Sequence, residues 1–432
     1  MSKKIIVNKF GGGILQKELI PLIVKRLREQ ISLGYSPIVV VSAFPGITDK
    51  LISSTKNFIE ELRTVHNNIM LDMGLDKETI AKTQIELEEI FKALKNTTST
   101  ARTVLADEDR IVSCGEKLSA TIMTAYFNSQ SLKAKRFLAE EIPIITDDNF
   151  KNANIKYNIS EKNIKDKLSK TKDIPVIAGF TGMTENEQTT TLGRGGTDTT
   201  ACFVGSALSA EKIILWKDVG GVLSADPKIV KDAKIIKFIS YQEAEETGKI
   251  IHEKAIEFVK MFQTPIEITS LSNPKFFTKI GELKTIKKGT KIINSKKNLT
   301  LFLITDERIK TNEQLLIVSS IFAKYKIEMI LISNTRHSLQ IVADDNNGLL
   351  DKAYKEIKSK VNKVESVPVN MIFLIGKFDV VDVNKFNDTL IKLKTGLQIS
   401  AFLYENCTRL EAVVETKEIE KVIKVLYKQF IR

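Results

Sequence analysis

Thr190–Ala210 reads TTLGRGGTDTTACFVGSALSA, a glycine-rich loop that runs into an apolar helix. Gly193, Gly195 and Gly196 allow positive φ and a close backbone approach to a ligand, while Arg194 offers a planar fork suited to a carboxylate or phosphate. Thr197 or Asp198 can cap the helix, which the pattern opens near Ala201. A helix start presents free N–H groups and a partial positive charge, so the stretch predicts an anion site.

Working outward, the flanking runs IPVIAGF from Ile174 and KIILWKDV from Lys212 are strand-like. At the amino end, KIIVNKF (4–10) leads into GGG and then into LQKELIPLIVKRLREQI, whose apolar residues recur at helical spacing. SPIVVVSAF repeats the pattern, passing through the turn PGITD to a helix opening at about Lys50. Such alternation predicts an α/β fold, a mainly parallel sheet with helices on both faces, with ligands at the carboxyl ends of the strands. Residues 55–108 read as a helical insertion or lid. In DRIVSCGEKLSATIMTAYF, Ser113 and Gly115 precede a helix with Glu116 in or near its first turn, a place where the helix dipole alone can favour a carboxylate.

This first domain is assigned 1–297, closing near KKGTKI. Beyond it the order βαββα appears twice, over 298–363 and 364–432, as an internal repeat without glycine-rich turns. The pattern leaves open whether the two α+β units share strands.

The chain has 432 residues, of which 43% are hydrophobic, enough for two or three cores. Its net charge of +12 comes from lysines spread along helices and loops, without the aromatic-interleaved basic stripe of a nucleic-acid binder. Cys114, Cys202 and Cys407 are too far apart for a disulfide framework or CxxC metal site, and His66, His252 and His337 have no ligand-like spacing. No leader and no apolar run long enough to span a bilayer is visible, which points to the cytoplasm and away from a membrane.

KFGG at Lys9, VVSAFPGITDKL at Val40, SCGEKLSA at Ser113, GFTG with TTLGRGGTDTTA, WKDVGGVLSADPKIV at Trp216 and GKIIH at Gly248 resemble, in this order, the motifs of aspartate kinases. Those enzymes combine the amino-acid kinase fold with two C-terminal ACT domains, so the likeness extends over the βαββα repeat. It implies a monofunctional, ATP-dependent kinase that converts L-aspartate to 4-phospho-L-aspartate, the first step toward lysine, threonine and methionine. It also implies ATP and Mg²⁺, a homodimer or homotetramer, and an effector amino acid, lysine or threonine, at the ACT-like units. The homoserine dehydrogenase fused to some relatives is not expected in this chain. The alternatives are another acidic-amino-acid kinase and a weakly active amino-acid-binding regulator.

The chemistry fits this resemblance. A carboxylate is already ionised at neutral pH, so its phosphorylation needs charge neutralisation and positioning more than a strong base. Lys9, with Gly11 and Gly12 behind it, is the candidate for the phosphoryl oxygens; Arg194 suits the amino acid's carboxylate and Glu116 its ammonium, with Thr48 and Thr197 adding hydroxyls. The resemblance puts Asp198 near the phosphates, ordering Lys9 or Mg²⁺, with helix capping as its competing role. Ser42 lies beside the same site or serves as a turn hydroxyl. By the same likeness ATP contacts Lys217, Asp218, Lys228 and Lys249. The chain departs from the family pattern at Gly13 and Ile14 (Thr and Ser), Lys217 (Thr), Gly220 (Asp), Leu223 (Tyr) and Lys228 (Arg).

Overall fold

The computed structural model describes residues 4–53, 57–99, 104–248, 250–282, 288–335, 338–345, 348–393, 396–400 and 408–431. They form two compact units, Met1–Val222 with Ile235–Lys284, and Leu223–Lys234 with Thr285–Arg432.

In the first unit the strands are β1 (Lys4–Phe10), β2 (Tyr35–Val41), β3 (Ala134–Phe137), β4 (Ile174–Ala178), β5 (Thr181–Met183), β6 (Thr189–Thr191), β7 (Lys212–Lys217), β8 (Phe238–Ser240), β9 (Ile266–Ser270) and β10 (Phe277–Gly281). The helices are α1 (Ile20–Ser32), α2 (Ile47–Ser53), α3 (Phe58–Asp72), α4 (Lys77–Ser99), α5 (Leu105–Ser129), α6 (Tyr157–Leu168), α7 (Gly196–Ala207), α8 (Tyr241–Thr247) and α9 (Glu253–Met261). Eight strands make one sheet in the order β3-β4-β2-β1-β7-β9-β10-β8, parallel except at the β9–β10 pair. The hairpin β5–β6 stands apart from it.

From β1 the chain winds first to β2 and β4, then crosses to β7 and β9, so the strand order reverses beside β1. The carboxyl ends of β1, β2 and β7 therefore border one crevice, the usual place for a ligand in such sheets. Side-chain alternation divides the central strands. Ile6, Phe10, Ile214 and Trp216 join a core with α1, α2 and α5, and Phe10 stacks on Trp216 with ring centres 6.1 Å apart. Buried Asn8 ties that face together, exchanging hydrogen bonds with Gln30 and accepting from Trp216 Nε1 at 3.0 Å. On the other face Val7, Lys9, Ile213 and Leu215 lie under α7. Gly205 allows that approach, since a Cβ there would come within 2.4 Å of Ile213.

The segment expected as an insertion or lid contains α3 and α4, and both send apolar residues (Leu62, Met70, Leu87, Phe91, Leu94) into the core shared with α5. His66, also buried on α3, lies edge-on to Phe44 and Phe91. Its Nδ1 is 2.7 Å from the Leu62 carbonyl, which places the proton there and leaves Nε2 without a partner. Burial depresses its pKa from 6.5 to about 4, against the opposing pull of the Leu62 bond. An unfolded chain therefore takes up this proton more readily than the folded one. The contribution is intact above pH 6.5 and is lost as pH falls toward 4, by roughly 3 kcal/mol at most. Thermal melts of His66→Leu between pH 7 and 4 should show a shallower acid decline than the unsubstituted protein; parallel curves would assign the acid sensitivity to other groups.

The second unit contains β11 (Gly289–Thr305), α10 (Thr311–Lys324), β12 (Glu328–Asn334), β13 (Ser338–Asp344), α11 (Leu350–Lys360), β14 (Lys363–Lys377), α12 (Val380–Leu393), β15 (Gly396–Ser400), β16 (Arg409–Glu415) and α13 (Ile419–Phe430). The order βαββα thus occurs twice, as in ACT-like units. One antiparallel sheet, β12-β13-β11-β14-β16-β15, holds both repeats, joined by β11 and β14 along most of their length. A boundary at 297 would cut β11 in two; Gly289–Ile292 of KKGTKI belongs to this strand and not to the first unit. Residues 223–234 also pack here, where Ser224 O accepts from Ile293 N–H at 2.8 Å and the Ser224 and Tyr427 hydroxyls lie 3.0 Å apart. Among the described residues no helix is long and apolar enough to cross a membrane.

Candidate active site

Lys9 is the penultimate residue of β1 and pairs in register with Leu215 on β7. Lys217, two residues beyond Leu215, therefore faces the same side, where the first turn of α7 presents Asp198. Lys9 Nζ lies 2.6 Å from Asp198 Oδ1 and Lys217 Nζ 3.2 Å from Oδ2. Burial works against the charge on Asp198, but Lys9 and Lys217 outweigh it and hold the carboxyl below its ordinary range. Two ammonium groups thus share one carboxylate, leaving a net positive charge at the strand ends.

Helix α7 begins at Gly196, earlier than the Ala201 start expected, and its cap is Gly195 at φ 73° without a side-chain bond. Neither Thr197 nor Asp198 is the cap. Thr197 accepts a hydrogen bond from Ser42 Oγ at 2.8 Å, linking the end of β2 to the helix. Ser42 also donates its N–H to Phe10 O and accepts at its carbonyl from Ser119 Oγ. Gly179, after β4, passes directly beneath, and a Cβ there would meet Thr197 Cγ2 at 2.5 Å. Gly11 and Gly12 are packed less tightly: added Cβ atoms would lie 3.1 Å from Lys9 Nζ and 3.0 Å from Ala43 O.

Glu116 is not at a helix start. Helix α5 begins at Leu105, so Glu116 lies in its interior and the dipole explanation for it falls away. The carboxyl is buried; Oε1 accepts the Ala43 N–H at 3.1 Å and Oε2 has no partner. Burial pushes its pKa up to about 8, opposed by the Ala43 N–H, its own N–H and the charge of Lys9. Gly115 permits this contact, since a Cβ there would come within 2.8 Å of Ala43 Cβ. A buried carboxyl oxygen without a donor fits an arriving ammonium group. Thr48, on α2, is partly exposed.

Arg194 is exposed and has no side-chain partner among the described residues. Its backbone is tightly held, because side chains at Gly193 (φ 77°) and Gly195 (φ 73°) would strike Asn152 Oδ1 and His252 Cβ, each at 2.6 Å. The segment around Asn152 is clamped from two sides. Buried Asp109 accepts the N–H groups of Lys151 and Thr191 and the Thr191 hydroxyl, at 2.7–3.1 Å. Lys254 Nζ donates to Asn152 O, Asn152 Oδ1 and Ala153 O at 2.8, 2.7 and 3.1 Å. Sequence reasoning missed both clamps, since the partners lie 42, 82 and about a hundred positions apart and no local spacing marks them.

Asp218 is exposed just past β7, beside Lys217. Lys228 falls in the second unit, its N–H bonded to Asp226 Oδ1 at 2.9 Å and its side chain exposed. Leu223 also belongs to that unit, and Lys249 lies outside the described residues. Ile14, one of the departures in the first motif, is 3% exposed within the core. Cys114 and Cys202 are buried free thiols.

Among the described residues no three His, Cys, Asp or Glu side chains converge as a metal site, and both Asp198 oxygens already face lysines. The donor set does not fit a resident divalent ion.

The Amino acid kinase family matches residues 4–270. Aspartokinase 1, chloroplastic, of Arabidopsis thaliana is 29% identical over 394 residues, covering 84% of this chain and 68% of the relative. Among solved structures, the aspartate kinase of Clostridium acetobutylicum is 25% identical with a TM-score of 0.79, covering 99% of this chain and 100% of its own. Aspartokinase III of E. coli, solved with lysine and aspartate in a T-state, matches in fold at a TM-score of 0.84 and 22% identity over the whole of both chains. The same enzyme with aspartate and ADP in an R-state matches at 0.79 and 22%, covering 98% of this chain and 99% of its own.

Proposed function

From the premise that the chain belongs to the amino acid kinase family, we propose that it is an ATP-dependent aspartate kinase. It transfers the γ-phosphoryl group of ATP to the β-carboxylate of L-aspartate, giving 4-phospho-L-aspartate and ADP. What supports this reading is the buried Lys9–Asp198–Lys217 cluster at the strand ends, together with two groups suited to an amino acid. Lys9 and Lys217, steadied by Asp198, offer cations to phosphate oxygens. The buried, half-satisfied Glu116 and the unpartnered Arg194 suit an ammonium and a carboxylate.

The ionised acceptor needs no proton removed, so the residues act by placement and charge. Lys9 meets the transferring group, while the N–H groups of Gly11 and Gly12 and the start of α7 receive phosphate oxygens. Mg²⁺ carried by the nucleotide would supply charge neutralisation on the phosphates. Ser42 and Thr197 orient the acceptor beside Lys9. ATP contacts at Asp218 and Lys249, an effector amino acid at the ACT-like units and assembly as a homodimer or homotetramer follow from the same reading.

ADP release measured with a panel of acidic amino acids tests it: turnover with aspartate and not glutamate is expected, and turnover with glutamate alone would overturn it. Arg194→Ala should raise the aspartate KM by about 10- to 100-fold, the loss of one charge-assisted contact, with little change in the ATP KM. Equal effects on both would remove Arg194 from the acceptor site.

A further inference from the structure

Asp109 lies on α5 two helical turns before Glu116 and on the same face. It is 2% exposed, and among the described residues every hydrogen bond it accepts comes from Lys151 or Thr191. Thr191 leads into the Arg194 turn. Lys151 precedes Asn152, on which that turn rests: a Cβ at Gly193 would lie 3.0 Å from Lys151 O as well as 2.6 Å from Asn152 Oδ1. The Ala153 N–H, donated to Thr191 O at 2.9 Å, ties the two segments together. Lys151 also has φ 68°, a conformation that residues other than glycine seldom adopt, and the bond from its N–H to Asp109 helps to hold it there. A buried carboxylate is costly unless it is bonded, and this one gives all its bonds to one loop and the support beneath it.

We infer that Asp109 is the positioning residue for Arg194. It acts through the loop and meets neither reactant. Asp109 and Glu116 share one helix, about 10 Å apart along its axis. The group that receives the acceptor's ammonium and the loop that carries its carboxylate partner are therefore set from one rigid frame. The Arg194 side chain is left free to close on a ligand, while its backbone is fixed in advance. This rests on the kinase reading above and deepens it.

Steady-state kinetics of the full chain, with melting temperatures alongside, tests the inference. Asp109→Ala should raise the aspartate KM by about tenfold, with kcat within about threefold and the ATP KM within about twofold. An amide at this position can accept both N–H groups on its oxygen and donate to the Thr191 hydroxyl, so Asp109→Asn should keep the aspartate KM within about threefold of the parent. On an Arg194→Ala background, Asp109→Ala should change the aspartate KM by no more than about twofold, since it acts through the side chain already removed. Asp109→Ser, which keeps one acceptor oxygen, repeats the measurements if the Ala variant does not fold. Additive effects at 109 and 194, equal rises in both KM values, or a lower melting temperature with an unchanged aspartate KM would make Asp109 a purely structural residue and overturn the inference, leaving the kinase reading standing. A loss in Asp109→Asn as large as in Asp109→Ala would also overturn it, because the contacts survive that change. If the unsubstituted protein turns over no aspartate, the kinase reading falls and takes the inference with it.

Discussion

Lys9→Met should lower kcat by about a thousandfold while both KM values stay within a few-fold. Its ammonium is the more buried of the two on Asp198, it lies against the Gly11 backbone, and it stands at the end of the central strand where the phosphates are proposed to bind. A cation so placed matters most where charge spreads over the transferring phosphoryl group, and so it affects the rate more than ground-state binding. The substitution also leaves Asp198 with only its longer contact to Lys217, which should lower the melting temperature, since breaking a buried pair costs about 3–5 kcal/mol. Lys9→Met with Asp198→Asn also removes the buried carboxylate that Lys217 alone would hold. That double variant should recover much of the melting temperature without recovering turnover. Recovery of both would make Lys9 a structural residue.

Aspartate affinity should fall about tenfold for each pH unit below 8, because Glu116 must be ionised to receive the ammonium and burial holds its pKa near 8. Binding at pH 7 should then release close to one proton per site, read as a dependence of the calorimetric heat on buffer ionisation enthalpy. Glu116→Gln should abolish this dependence and weaken binding by about a hundredfold, the cost of a lost buried charge pair. The same group carries a stability cost. A carboxyl whose folded pKa is raised contributes fully below its unfolded value of about 4.5 and loses that contribution as pH rises to 8. The empty Gln variant should therefore be more stable than the parent at pH 8.5, by a few kcal/mol, and no more stable at pH 4. A parent that binds aspartate equally at pH 6 and 8.5 would show that Glu116 is already ionised in the empty site.

Both expectations concern residues visible in the sequence, but in different degrees. Lys9 was placed by its surroundings, a β-rich run broken by glycines, and the structure keeps it there. Glu116 was identified as a residue and misread in position, because SCGEK suggested a helix start that in fact lies at Leu105. By sequence, Gly115 of SCGEK precedes a helix and Gly179 of GFTG falls in the strand-like run IPVIAGF. Gly115 and Gly179 instead admit Ala43 and Thr197 from other elements, contacts that no local pattern encodes.

What the sequence determined by itself was local and periodic: the alternation of strands, glycine turns and helices, the doubled βαββα order, and the glycine-rich loop of Thr190–Ala210 that runs into a helix. These follow from side-chain periodicity and from backbone conformations that glycine alone adopts easily. The tertiary structure decided which charges meet. It gave Asp198 two lysines instead of a capping role, buried Glu116 with one oxygen unpaired, and clamped the Arg194 loop through Asp109 and Lys254. It also assigned Lys228 to the second unit and made β11 one strand across the expected boundary. Each of these depends on groups far apart in the chain coming within a few ångströms, where desolvation and ion pairing set the chemistry.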